Sequence, residues 1–141
     1  MNFKTLIICF VVVVGIPTFL ASADCLLAAS TINQEVESGD REILNVFLGE
    51  KLFKKRCKAC HSMTKNKLGP SLENLFGRTA GTFEKYKYSK AMKKSEVVWD
   101  EDTLKEFLKK PNKFIKGTRM MFPGIKSDQK LDDLIAYLKE N

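Results

Sequence analysis

Hydrophobic positions along this chain fall into three regimes. Residues 5–23 carry no charge and include Val11-Val12-Val13-Val14. Residues 24–39 are polar and acidic, with little that could form a core, and Ser38-Gly39 reads as the end of a tether. From residue 40 onward apolar side chains recur at three- and four-residue spacing, interrupted by long stretches without a period. Asp40 suits the N-cap of a helix running to about Arg56, with Ile43, Val46, Phe47, Gly49, Leu52 and Phe53 on its apolar face. Gly69-Pro70, Gly77 and Gly81 mark a loop-rich stretch with a short helical segment at 71–76, and a further short helix is predicted at 89–94. Asp100-Glu101-Asp102 caps a helix carrying Leu104, Phe107 and Leu108, which ends in Lys109 and Lys110 before Pro111. Residues 111–126 read as loop. Ser127 then caps a last helix whose stripe is Leu131, Leu134, Ile135 and Leu138. No alternating strand pattern of useful length occurs after residue 40, so the expected class is all-α with long connections.

Such connections are uncommon in a small self-packed domain. They make sense where a large apolar group sits at the centre and the loops wrap it, because a core built by about a hundred residues alone is often marginal. The 141 residues leave room for one domain and an appendage.

Charge sharpens the division. Residues 24–44 hold five acids against Arg41, net −4, whereas residues 45–141 hold 22 basic and 12 acidic side chains, net +10. A basic domain behind an acidic tether points to an acidic partner surface or an anionic membrane. The lysines are interspersed with acids and follow no nucleic-acid-binding motif, so nucleic acid is not the expected partner. Lys4 followed by the uncharged run, Pro17 and Ala21-Ser22-Ala23 has the layout of an export signal with a small-x-small cleavage site. The run is also long enough for an uncleaved anchor. Both readings put the domain outside the cytoplasm, in the periplasm. Asp24 is a poor residue to precede a lipidated cysteine, so Cys25 reads as an incidental thiol.

The chemistry concentrates in Cys57-Lys58-Ala59-Cys60-His61, which contains the chain's one histidine. Two thiols three positions apart, followed at once by an imidazole, match the c-type haem attachment pattern. Each thiol can add across one vinyl group, and the adjacent histidine then lies where it can ligate the iron. A structural zinc site would need a fourth ligand, and Cys9 and Cys25 lie far upstream. A thioredoxin-like dithiol would need a βαβ setting that the flanks do not suggest.

Around that motif the chain resembles a class I cytochrome c of the mitochondrial and alphaproteobacterial c2-like type, over nearly all of residues 43–141. The residues that carry the resemblance are Gly49 and Phe53, Leu68-Gly69-Pro70, Leu75-Phe76-Gly77-Arg78 and Tyr86-Lys87-Tyr88-Ser89. They continue with Trp99, Gly117-Thr118-Arg119-Met120, and Asp133-Leu134-Ile135-Ala136-Tyr137-Leu138. The resemblance implies a class I cytochrome c fold around one covalent haem c, preceded by the apolar leader (1–23) and an acidic linker (24–42). It implies that Cys57 and Cys60 hold the haem, that His61 and Met120 ligate iron, and that the Pro70 carbonyl orients His61. Arg78, Tyr88 and Trp99 would bind the propionates, Thr118 would belong to the haem-binding loop, and Phe122 would cover the haem edge. Gly49 and Phe53 would meet Leu134 and Tyr137 where the terminal helices cross.

Three positions depart from the pattern. Phe107 replaces a common tyrosine, Met92 a common asparagine, and the stretch from His61 to Gly69 is short. The implied role is a monomeric one-electron carrier, not an enzyme, between a quinol–cytochrome c reductase and a terminal oxidase. Lys51, Arg56, Lys67, Lys113, Arg119 and Lys126 would ring the haem edge and meet acidic docking surfaces. The rival readings are a haem domain tethered to a larger respiratory complex, and a haem peroxidase. The second is disfavoured because no other histidine is available as a distal base.

Overall fold

The computed structural model describes the backbone from Ala23 and the side chains from Gly39 to Asn141. The leader's residues 1–22 and the side chain of Cys25 lie outside the described residues. Among the described residues five helices occur in order: α1 (Ala23–Arg56), α2 (Lys90–Lys94), α3 (Glu101–Lys109), α4 (Pro111–Phe114) and α5 (Asp128–Lys139). Among the described residues there are no strands, only an isolated antiparallel bridge between Thr79 and Val98. None of the described helices is long and apolar enough to cross a membrane. The motif belongs to a compact unit, Ser38–Asn141.

Local chemistry accounts for most helix ends. Asp100 accepts from the Thr103 amide at 2.8 Å while the Thr103 hydroxyl accepts from the Asp100 amide at 2.9 Å, a reciprocal cap. Ser89 accepts from the Met92 amide at 3.1 Å and Ser127 from that of Lys130 at 3.4 Å. Lys54, Lys55 and Arg56 occupy the negative end of α1.

Three expectations are corrected. Asp40 is not an N-cap: α1 runs unbroken through Gly39 and Asp40 from Ala23. A lack of core-forming residues upstream is no bar to a helix, because helical propensity does not require an apolar stripe. Residues 71–76 form turns, with Asn74 at φ 48° and Gly77 at φ 77°. There the Ser71 hydroxyl is engaged by the Met63 carbonyl and the Glu73 amide, which holds the segment in a turn. Conversely, the expected loop at 111–126 opens with the single turn α4, whose first residue, Pro111, is pre-set for a helix start.

The core lies where α3 and α5 pack together under α1. Leu131, Leu134, Ile135, Leu104, Phe107, Leu108 and Phe53 are buried there. α1 approaches α5 so closely that a Cβ on Gly49 would collide with the Asp133 carbonyl and come within 2.7 Å of the Tyr137 Cβ. Phe53 and Tyr137 then meet with ring centroids 5.4 Å apart. Asp132 pairs with Lys105, and Lys139 with Glu101 at 2.6 Å, lacing α5 to α3. Ile43 and Phe47 do not join this face as expected, standing 70 % and 50 % exposed. At about 100° per residue, Phe47 lies roughly 140° around the helix from the arc of Gly49 and Phe53.

Candidate haem site

The C-terminal end of α1 runs directly into the motif. The amides of Cys57 and Lys58 both donate to the Phe53 carbonyl, and those of Cys60 and His61 donate to the Cys57 carbonyl at 3.0 and 2.8 Å. These bonds wind residues 57–60 into tight turns directly off the end of α1, so both thiols and the imidazole are placed by backbone hydrogen bonds to the helix and its last turn. Cys57 is half-buried, Cys60 is exposed, and neither is bonded to another cysteine. Burial pushes the Cys57 thiol up to about 11, with Arg56 opposing and Cys60 reinforcing the shift, so the group is a neutral thiol at physiological pH.

His61 is fixed from its far side. Its Nδ1 lies 2.9 Å from the Pro70 carbonyl oxygen. A carbonyl can only accept, so Nδ1 carries the proton and Nε2 keeps a free lone pair. Burial lowers the imidazole's pKa, the Pro70 hydrogen bond opposes this, and Lys67 adds to the lowering. A neutral ring with one nitrogen presented is what a transition metal needs. Gly69 makes the approach possible, because a Cβ there would stand 2.7 Å from both ring nitrogens.

The short stretch after His61 is closed by polar clamps. The Gly69 amide donates to Cys60 O at 2.8 Å and that of Leu72 to Ser62 O at 3.0 Å. The Ser71 amide donates to Asn66 Oδ1 at 2.8 Å, and the Ser71 hydroxyl to Met63 O at 2.6 Å. Asn66 and Ser71 received no role from the sequence. The one available signal was the shortness of this loop, which leaves few residues to turn the chain back toward Pro70.

Opposite, Arg78 and Trp99 are zipped together through the backbone. The Trp99 amide donates to Arg78 O at 3.0 Å, the Gly77 amide to Trp99 O at 2.8 Å, and the Ala80 amide to Val97 O at 2.7 Å. Arg78 donates to the Glu73 carbonyl at 2.7 Å and to the Ser71 carbonyl at 3.2 Å, with its guanidinium 4.7 Å above the Phe83 ring. Burial raises the Tyr88 pKa while Arg78 lowers it, which places the two side chains in electrostatic reach. Trp99 is buried against Phe107, ring centroids 5.0 Å apart, and its indole N–H has no acceptor among the described residues.

The remaining expected residues come from the loop after α4. The Thr118 hydroxyl is 3.3 Å from the Met120 amide. Met120 and Phe122 are partly buried against the core cluster, whereas Met121 is 96 % exposed. Phe122 carries the Arg56 guanidinium 5.6 Å above its ring. Gly124 allows this loop to lie on the end of α3, where the Ile125 amide donates to Leu108 O at 3.0 Å and a Cβ on Gly124 would collide with Lys109 O.

These residues fit a covalent haem. Two free thiols flank an imidazole with one nitrogen presented, a buried indole donor lacks an acceptor, and a cation and a phenol stand nearby. Half-buried Met63, Leu72, Phe76, Tyr88, Met120 and Phe122 supply apolar surface that is only partly covered.

Comparison with known proteins agrees. The family model for cytochrome c matches residues 46–141. Cytochrome c of Sesamum indicum is 50 % identical over 99 residues, covering 68 % of this chain and 89 % of that protein. Cytochrome c2 of Blastochloris viridis is 47 % identical over 95 residues, 65 % of this chain and 74 % of the relative. The solved structure of cytochrome cH from Methylobacterium extorquens superposes with a TM-score of 0.66 at 46 % identity, covering 68 % of this chain and 98 % of that one. With a helical fold, a matched haem-attachment loop and these relatives, the chain belongs to the cytochrome c family and is a haem-based electron carrier, not an enzyme.

Proposed function

We propose that this protein carries single electrons from a quinol–cytochrome c reductase to a terminal oxidase. In this reading it works in the periplasm, either freed by cleavage after residue 23 or held by its N-terminal run, with residues 24–42 as a linker. His61 and Met120 would ligate the haem iron. The observation that carries the reading is the tethered imidazole, with Nδ1 held by Pro70 and Nε2 free, immediately after two free thiols.

The bound haem supplies a one-electron ferric/ferrous couple. Cys57 and Cys60 would hold it through thioethers, and Pro70 fixes the orientation of His61. Trp99, Arg78 and Tyr88 neutralise and hydrogen-bond buried carboxylates that would otherwise be costly. The Thr118 hydroxyl orders the backbone at Met120, and Phe122 excludes water from the edge. With His61 and Met120 both available to ligate the iron, the protein would leave no open position for a substrate, which suits transfer and not catalysis. Lys51, Arg56, Lys67, Lys113, Arg119 and Lys126 are all exposed. They steer acidic partner surfaces, so the rate of oxidation by a membrane oxidase should fall as salt rises from low to physiological strength.

Met120 and Met121 provide the decisive pair for the test. Met120→Ala in the purified holoprotein should abolish the weak near-infrared sulfur-to-ferric-iron band, lower the potential and admit carbon monoxide. Met121→Ala should leave the spectrum unchanged. Rapid carbon monoxide binding by the unaltered protein would mean an open iron position and would remove the carrier reading.

A further inference from the structure

The hydrogen bond that orients His61 does not end at Pro70. The Pro70 carbonyl and the Ser71 amide belong to one peptide group, and both of its polar atoms are engaged. The oxygen lies 2.9 Å from His61 Nδ1, and the N–H donates to Asn66 Oδ1 at 2.8 Å. No peptide bond among the described residues is cis, so the carbonyl and the N–H of this group point to opposite sides. Imidazole, peptide and carboxamide thus form one continuous hydrogen-bonded chain.

The outer end of that chain is itself anchored. Asn66 Nδ2 donates to the Lys85 carbonyl at 3.1 Å. One end of the carboxamide meets a donor and the other an acceptor, which determines how the group is turned. Ser71 is 0 % exposed, and its remaining polar groups are satisfied elsewhere. Its hydroxyl donates to the Met63 carbonyl and accepts from the Glu73 amide, while its carbonyl accepts from Arg78. Asn66 stands at the surface and reaches the imidazole through this peptide.

Hydrogen bonds in series polarise one another. An acceptor on the Ser71 N–H draws the amide proton and leaves more negative charge on the Pro70 oxygen. That strengthens the bond from His61 Nδ1–H and raises the basicity of Nε2. A more basic ligand favours ferric over ferrous iron. We propose that Asn66 is a positioning residue that holds the Pro70–Ser71 peptide against His61 and so lowers the electron affinity of the haem iron. The inference rests on the reading of His61 as an iron ligand. If Asn66 did no more than tie the loop to residue 85, its loss would cost stability without tuning.

The test uses the purified holoprotein, with two readouts for each variant: the midpoint potential and the His61 Nδ1–H proton resonance of the ferrous form. Asn66→Ala should move the resonance upfield. Because bonds in series strengthen one another by about 10–30 %, the ferrous-to-ferric ratio at a fixed solution potential should rise about two- to threefold. Asn66→Asp keeps the size and offers a stronger acceptor, so both readouts should move the opposite way. The resonance shift should persist at high salt, whereas a through-solvent effect of the new charge would fade. Tyr86→Phe removes a different tie of the same loop, the hydroxyl that donates to the Leu68 carbonyl. It should lower the melting temperature and leave both readouts unchanged. Asn66 variants that move the readouts no more than Tyr86→Phe does would reduce Asn66 to a loop tie and overturn the proposal, and Asn66→Asp alone decides this if the Ala variant does not fold. His61 ring resonances identical in ferric and ferrous protein would overturn the ligand reading, and this inference with it. Ring resonances that differ between the two states but ignore Asn66 would overturn this inference alone.

Discussion

The two halves of the compact unit reach order by different means. Where α1, α3 and α5 meet, Leu131, Leu134 and Ile135 are 0 %, 1 % and 2 % exposed, and the contact is between helices whose backbones satisfy themselves. From Cys57 to Trp99 there is one short helix, and shape comes from specific polar clamps such as Ser71 to Met63 and Trp99 to Arg78. Leu75, Ala80, Met92 and Trp99 are buried in this half, but Met63, Leu72, Phe76 and Tyr88 are only partly so. The helical half carries its own core. The loop half is a shell whose hydrophobic side chains gain full burial once a ring is present, which explains why so much of a small domain can be irregular.

The largest effect should come from removing what the loop half is built around. Cys57→Ala with Cys60→Ala should yield full-length protein without covalent haem and without a cooperative thermal transition, read by circular dichroism. A cooperative, native-like apoprotein would show that the helical half suffices and would erase the distinction drawn here.

Next in size, truncating a side chain should cost more in the self-packed half than in the shell. Leu131→Ala, at a fully buried position, should destabilise the holoprotein by about 2–5 kcal/mol in guanidinium titrations. Leu72→Ala, at a half-buried loop position, should cost about 1 kcal/mol or less if haem contact restores the lost packing. Equal costs would mean that the halves are packed alike.

A smaller contrast should appear at alkaline pH. Tyr137 at the helix crossing has its pKa raised by burial, reinforced by Glu50 and opposed by Lys54. Tyr88 is raised by burial too, but Arg78 opposes the shift. A tyrosine whose native pKa lies above its unfolded value contributes stability that is complete below that unfolded value, about 10, and lost as pH rises through the native one. Tyr137→Phe and Tyr88→Phe should therefore each flatten the alkaline fall in melting temperature, the first reporting on the helix crossing and the second on the loop half.

The smallest effect concerns helix caps. Ser89→Ala leaves the Met92 amide without its partner at a buried N-cap and should cost about 1 kcal/mol. Ser127→Ala, an exposed cap with a longer 3.4 Å contact, should cost roughly half that. Thermal melts of the two holoproteins would rank them.

Much of the molecule was legible in the chain because it depends on neighbours in sequence. The caps at Ser89, Asp100 and Ser127 and the stripe of α5 each follow from side chains within a few residues of one another. Cys57, Cys60 and His61 are equally local, since α1 simply winds on into them. The haem attachment site is therefore the most readable part of the protein. The roles proposed for Arg78, Tyr88, Trp99, Thr118, Met120 and Phe122 come from resemblance to a family, not from their own spacing.

Closure of the chain decided the remainder. The start of α1 upstream of Asp40 rests on helical propensity without a stripe, which carries no periodic signal. The outward turn of Phe47 is settled by which arc of α1 Gly49 lays against Asp133, a contact spanning most of the compact unit. The tautomer of His61 depends on Pro70 and the turn at Ser71 on Met63, both hydrogen bonds across a loop. Neighbouring Met120 and Met121 have the same side chain and almost the same context, yet one packs on the core and the other stands in solvent. Spacing and caps are short-range and are written in the chain, whereas burial, tautomer and side-chain direction are properties of surfaces that exist only after distant segments have met.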